Sequence, residues 1–173
     1  MQDSEVTLNE GPTLKETLFN SYIRNFEGKC EEWNERLGET NFEAVFNKDL
    51  FSLEVESIKY IIAGDNPGEK ERKEGKYFIG SSAGAGAREF FEEFLGIDID
   101  LEVLKLNKSP ISSNVTGGLS SLQETHHPVH IESQEYMATL LYRMSTLLNV
   151  PVIIFSFAGS RDKQENGSVI WRT

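Results

Sequence analysis

Three short stretches hold side chains whose types and spacing could do chemistry. In Gly64-Asp65-Asn66-Pro67-Gly68 a carboxylate and an amide stand side by side, flanked by glycines and a proline. Glycines let backbone approach a ligand closely or take a positive φ, and proline sets the turn. Asp65 could polarise a water there, and Asn66 could orient one. Phe78, inside Tyr77-Phe78-Ile79-Gly80, offers a plate on which a flat heterocycle stacks, worth about 1–3 kcal/mol per base. Asn107, opening Asn107-Lys108-Ser109-Pro110, brings one acceptor and two donors, which suits the hydrogen-bonding edge of a base. The plainer readings are that residues 64–68 are only a good turn and that Phe78 is a core residue.

Each stretch needs an element to present it. Ile58, Tyr60, Ile61, Ile62 and Ala63 form a short apolar run, the pattern of a strand buried on both faces. It stops at Gly64, so the first motif sits at a strand end. A charged loop, Glu69 to Lys76, leads to Phe78, and Ser81 to Ala87 lead into an amphipathic helix, Arg88 to Phe94, carrying Phe90, Phe91 and Phe94. Leu101, Val103, Leu104 and Leu106 make a second strand, which ends at Asn107. Ile111 to Ile131 shows no periodicity and holds Gly117, Gly118 and all three histidines; a loop of that length is usually functional or mobile. A helix follows from Ser133, with Met137, Leu140, Leu141, Met144 and Leu148 on one face, and Pro151 to Phe157 is a third strand.

Before these elements, Met1 to Gly11 reads as a loose terminus. A long helix then opens at Pro12-Thr13, with a stripe through Leu14, Leu18, Tyr22, Phe26, Cys30, Trp33 and Leu37, widened by Phe19 and Ile23, and stops at Gly38. Cys30 lies on that stripe and is expected in the core. A short helix is expected over Phe42 to Phe46. Strands alternating with helices imply right-handed crossovers and a parallel sheet. The expectation is one α/β domain, a three-layer α/β/α arrangement with a short sheet: 1–57 a helical N-terminal part, 58–160 the α/β core, 161–173 a tail. In open sheets of this kind ligands bind at the carboxyl ends of the strands.

Composition narrows the function classes. The 173 residues are 38% hydrophobic, enough for a real core. The single cysteine excludes an internal disulfide framework and a four-cysteine zinc or iron–sulfur site. No signal-like opening and no membrane-length apolar run are present, so a cytoplasmic protein with no membrane partner is expected. The net charge is −11, carried early: residues 1–60 hold 6 basic and 13 acidic side chains, 61–100 hold 5 and 9, and 101–173 hold 6 and 6. Such a surface opposes non-specific nucleic-acid binding. Lys105, Lys108 and Arg161 are the basic side chains near the strand ends.

Two further patterns could hold a ligand. His126, His127 and His130 could ligate a metal, but adjacent histidines in a loop lack the fourth ligand and supporting shell such a site needs; no metal and no cofactor are expected. Ser81, Ser82 and Gly84 precede a helix and could hold a phosphate through backbone N–H groups. No Lys-Ser/Thr follows the glycines, which excludes a P-loop.

Asn66 in Gly-x-Asn-Pro-Gly, Phe78 in Tyr-Phe-Ile-Gly and Asn107 in Asn-x-x-Pro together resemble the uracil-DNA glycosylase superfamily. Gly-x-Asn-Pro-Gly is most similar to the single-strand-selective and mismatch-specific enzymes. The Gly-Lys-Tyr-Phe-Ile-Gly piece also resembles the iron–sulfur branch, without its cysteines. The resemblance covers about residues 58–160, and each motif is short. It implies a uracil-DNA glycosylase-like fold and hydrolysis of the N-glycosidic bond of uracil or a related damaged base in DNA. Asn66 would position the water that attacks C1′, with Asp65 beside it as a departure from most of the family. Gly64, Pro67, Phe78 and Asn107 would hold the flipped base, and Ser81, Ser82 and Gly84 a DNA phosphate. The family's later strand, with a His-Pro-Ser type loop whose histidine stabilises the leaving base, has no counterpart after Phe157; His127-Pro128 is similar but precedes the third strand. The expectation is therefore a fold lacking its last strand, and either a natural chain that continues past Thr173 or a weak or inactive enzyme. The alternative is a non-catalytic member of the fold that binds a nucleobase, nucleotide or protein.

Overall fold

The structure, a computed structural model, describes residues 11–113, 122 and 124–155. The first helix, α1 (Leu14–Leu37), starts where a capping box closes: the Thr13 hydroxyl accepts from Glu16 N, and the Glu16 carboxylate accepts from Thr13 N. It ends at Gly38, whose φ of 60° the chain needs glycine to adopt. Its buried line runs Phe19, Ile23, Phe26, Cys30, Trp33 and Leu37. Leu14 and Leu18, expected on that line, are 76% and 37% exposed, because the helical turn rotates them away from the face that Phe19, Ile23 and Phe26 bury.

Three parallel strands make the main sheet: β2 (Tyr60–Gly64) in the centre, β3 (Val103–Asn107) on one side and β5 (Val152–Ile154) on the other. Side chains alternate across it. Ile61, Leu104 and Leu106 join the larger core with α1 and with the helix α4 (His127–Leu148). Ile62 and Val103 face the opposite way, into a second core with Tyr77, Phe78, Ala87 and Phe91. Helices therefore cover both faces of a small parallel sheet, a mixed helix-and-strand α/β fold. Residues 156 and 157 of the expected third strand, and Ser160 and Arg161 beyond it, lie outside the described residues.

Four expectations about local structure are corrected. Residues 42–46 are not helical: β1 (Phe42–Ala44) pairs antiparallel with β4 (Ile111–Ser113), a partner remote in sequence. The Asn34 amide clamps Ala44 from the other side, Nδ2 to the carbonyl at 2.9 Å and Oδ1 from the N–H at 2.6 Å. The charged stretch 69–76 is not a loop but α2 (Glu69–Glu74), started where the Glu71 carboxylate reaches back to accept the Gly68 N–H and ended by Gly75 at φ 65°. The aperiodic stretch is shorter than expected, because α4 begins at His127 and not near Ser133; Pro128 stands in its first turn, where the missing N–H costs nothing. The segment after Phe78 is α3 (Ser82–Arg88), continuing into a π-helical turn, Glu89–Phe94, that buries Phe91 and leaves Phe94 76% exposed.

Candidate functional site

The two strand-end motifs are neighbours because β2 and β3 pair in register, Gly64 opposite Asn107. The ladder runs on past both strands: Lys108 N donates to the Gly64 carbonyl at 2.8 Å, and Ser109 N to the Asp65 carbonyl at 3.0 Å. Gly64 and Asn107 share the sheet face of Ile62 and Val103, so both look toward the α2–α3 side. There a cleft of about 220 Å³ is lined by Gly64, Asp65, Asn66, Phe78, Ser81 and Asn107, together with Gly68, Glu71, Ala83 and Phe155.

Asn107 is 3% exposed, and its Nδ2 has no hydrogen-bond partner among the described residues. An unpaired buried amide donor costs about 1–3 kcal/mol, so a group of this kind facing a cleft asks for an acceptor from outside. Gly64 makes the close approach feasible: a Cβ there would overlap the Asn107 side-chain oxygen and come within 3.0 Å of the Phe78 ring. Phe78 is both core and cleft wall, 6% exposed and packed in the second core. Its φ of 59° is left-handed, unusual for a bulky side chain. Two neighbours hold it there. The Glu71 carboxylate accepts the Phe78 N–H, and Gly84 at the start of α3 packs so tightly on the Phe78 carbonyl that a side chain would collide with it. Tyr77 is anchored alongside, its hydroxyl donating to the Val45 carbonyl and its phenol pushed well above the usual range by burial.

Other expected site residues fall differently. Asn66 is half-buried at the cleft, its amide 3.4 Å from the Pro67 carbonyl. Asp65 lines the cleft and forms an ion pair with Lys108. Pro67 is buried and shapes the turn without lining the cleft, whereas Gly68 lines it. Of the three proposed phosphate ligands, Ser81 reaches the cleft, but its hydroxyl caps α3 by accepting the Gly84 N–H at 3.0 Å. That bond and the packing on Phe78 occupy Gly84, and Ser82 is exposed outside the lining. Lys105 is not a surface contact for nucleic acid: it is 3% exposed and bonded to Asp100 at 2.7 Å. His127 begins α4 and does not line the cleft. Among the described residues no group of three His, Cys, Asp or Glu side chains is placed to hold a metal, and no helix is long and apolar enough to cross a membrane. Cys30 is buried in the core, where burial pushes its thiol far above the ordinary range.

Glu71 is a site residue that the motif reading missed. Its only sequence signal was its place three residues after Gly68, the N3 position from which a glutamate can reach back to the N-cap N–H. Phe155 was also missed; it arrives from the end of β5, fixed by its N–H to the Ala63 carbonyl at 2.8 Å. No model of a known protein family matches the sequence, and no curated protein matches it.

Proposed function

We propose that the cleft binds a pyrimidine base and that the protein is a uracil-DNA glycosylase-like hydrolase of the corresponding fold, cleaving the N-glycosidic bond of uracil or a related damaged base in DNA. The observation that carries this reading is the buried Asn107 Nδ2, without a partner among the described residues, on a side chain that lines the same cleft as Phe78 and Asn66. A base slotted against Phe78 would give Asn107 the carbonyl acceptor it lacks. Asn66, at the mouth, would orient a water toward C1′. As the C1′–N bond breaks its electron pair leaves on the base, and the Asn107 amide would donate to the carbonyl oxygen that collects this charge. Donors aimed at developing charge are the larger part of such catalysis. No histidine lines the cleft among the described residues to share that task, and slow excision is the expectation for this arrangement.

A second reading has its own support. Lys105 is buried against Asp100, and Lys108 is engaged by Asp65, so few cations near the cleft remain among the described residues to meet a phosphate backbone. That favours a non-catalytic protein that binds a free base or nucleotide. Single-turnover excision from uracil-containing single-stranded and mismatched oligonucleotides separates the two. The glycosylase reading expects slow release of uracil that is lost in Asn66→Ala. Binding of free uracil with no excision from any oligonucleotide supports the second, and no response to either rejects both.

A further inference from the structure

We propose that Glu71 is a positioning residue of this cleft: one carboxylate ties the two ends of the 68–78 segment and thereby sets the Phe78 ring as the stacking wall. The proposal rests on the base-binding reading above. Glu71 is 6% exposed, and it makes no ion pair among the described residues; the adjacent Arg72 turns away to Glu43 at 3.0 Å. Its Oε2 accepts the Gly68 N–H at 2.6 Å, and its Oε1 accepts the Phe78 N–H. A capping role for α2 accounts for the first bond alone. The second is made seven residues further on, outside the helix, to a residue whose left-handed backbone is disfavoured for an L side chain. That conformation turns the ring toward Gly64 and Asn107.

The chemistry selects glutamate. Two backbone donors converge on one group, so it must offer two acceptors. A carboxylate does; a glutamine has one oxygen, and its NH₂ would face an N–H. Aspartate is one methylene shorter and cannot span both. Bonds from backbone N–H to a charged carboxylate are the strong kind. One bond steadies the turn after Asn66 and the other the aromatic wall, so Glu71 couples the water-orienting side of the cleft to its stacking side.

Glu71→Gln tests this, first without ligand. In the wild-type protein the amide protons of Gly68 and Phe78 should both lie far downfield. In E71Q one of them should move upfield and the Phe78 ring resonances should shift, with the circular dichroism of the folded protein retained. E71D gives the same readings should E71Q not fold. The second readout is single-turnover excision. Loss of one charged hydrogen bond predicts a half-saturating concentration raised roughly 10- to 100-fold, with the plateau rate little changed, while Asn66→Ala lowers the plateau instead. If the wild type excises nothing, titration with uracil followed at the Gly64 and Phe78 amides reads the same change in affinity. Unmoved Phe78 resonances in E71Q overturn the proposal, as does unchanged affinity, and so does a lowered plateau at unchanged half-saturation, which would put Glu71 in the chemistry itself. A wild-type protein that ignores uracil while Phe78 still shifts in E71Q overturns the base-binding reading and leaves the hold on Phe78 standing.

Discussion

Asn107→Ala separates a residue kept for a ligand from one kept for the fold. Asn107 is 3% exposed at the last position of β3, and its backbone stays paired with Gly64 whatever side chain it carries. The side chain contributes an Nδ2 with no partner among the described residues. Removing that amide relieves a desolvation penalty of about 1–3 kcal/mol. Against this stands the lost packing of a small side chain, softened because the space opens onto the cleft and water can enter. The balance is a stability unchanged or raised by up to about 2 kcal/mol, hence a melting temperature unchanged or higher by up to ~8 °C at roughly 2–4 °C per kcal/mol for a domain of this size. Binding of uracil, by contrast, should weaken about 10- to 100-fold, the worth of one hydrogen bond to the base. Thermal unfolding by circular dichroism and a uracil titration on the same preparation are sufficient. A melting temperature lowered by more than about 6 °C would show Asn107 to be a structural support, and unchanged binding would remove it from the site.

Gly64→Ala does the opposite: its methyl would overlap the Asn107 oxygen and crowd the Phe78 ring, so overpacking of about 1–3 kcal/mol should lower the melting temperature and abolish base binding together. A variant that melts higher and still binds would contradict that geometry. The Cys30 thiol is raised by burial and then by Glu27 and Glu31. Its folded value exceeds its unfolded one, so its contribution is complete below the ordinary thiol range near pH ~8.5 and declines as pH rises above it. Urea midpoints between pH 7 and 10 should fall more steeply for the wild type than for Cys30→Ala, and parallel curves would refute the buried, neutral thiol. With Lys105 buried and Lys108 engaged by Asp65, DNA affinity should fall with salt at a slope corresponding to only about two phosphates. A slope several times steeper, measured by fluorescence anisotropy, would require a basic surface elsewhere.

Short-range pattern alone determined a good deal of this protein. The apolar run into Gly64, the second run into Asn107 and the helical stripe through Phe26, Cys30 and Trp33 all read directly, because each reflects one element's burial and repeats at that element's period. Two buried strands ending in amide-bearing turns sufficed to bring Asn66 and Asn107 to one candidate cleft. Tertiary packing decided the rest. Residues 42–44 became a strand only because residues 111–113 came to pair with them. Lys105 reads as a surface cation, yet it is buried because its alternate position on β3 faces the second core side, where Asp100 receives it. The left-handed Phe78 and the Glu71 carboxylate that holds it are the clearest case. No periodicity encodes a hydrogen bond between a helix's first turn and a loop beyond its end; it exists because α2, α3 and the strand ends close on the same few atoms.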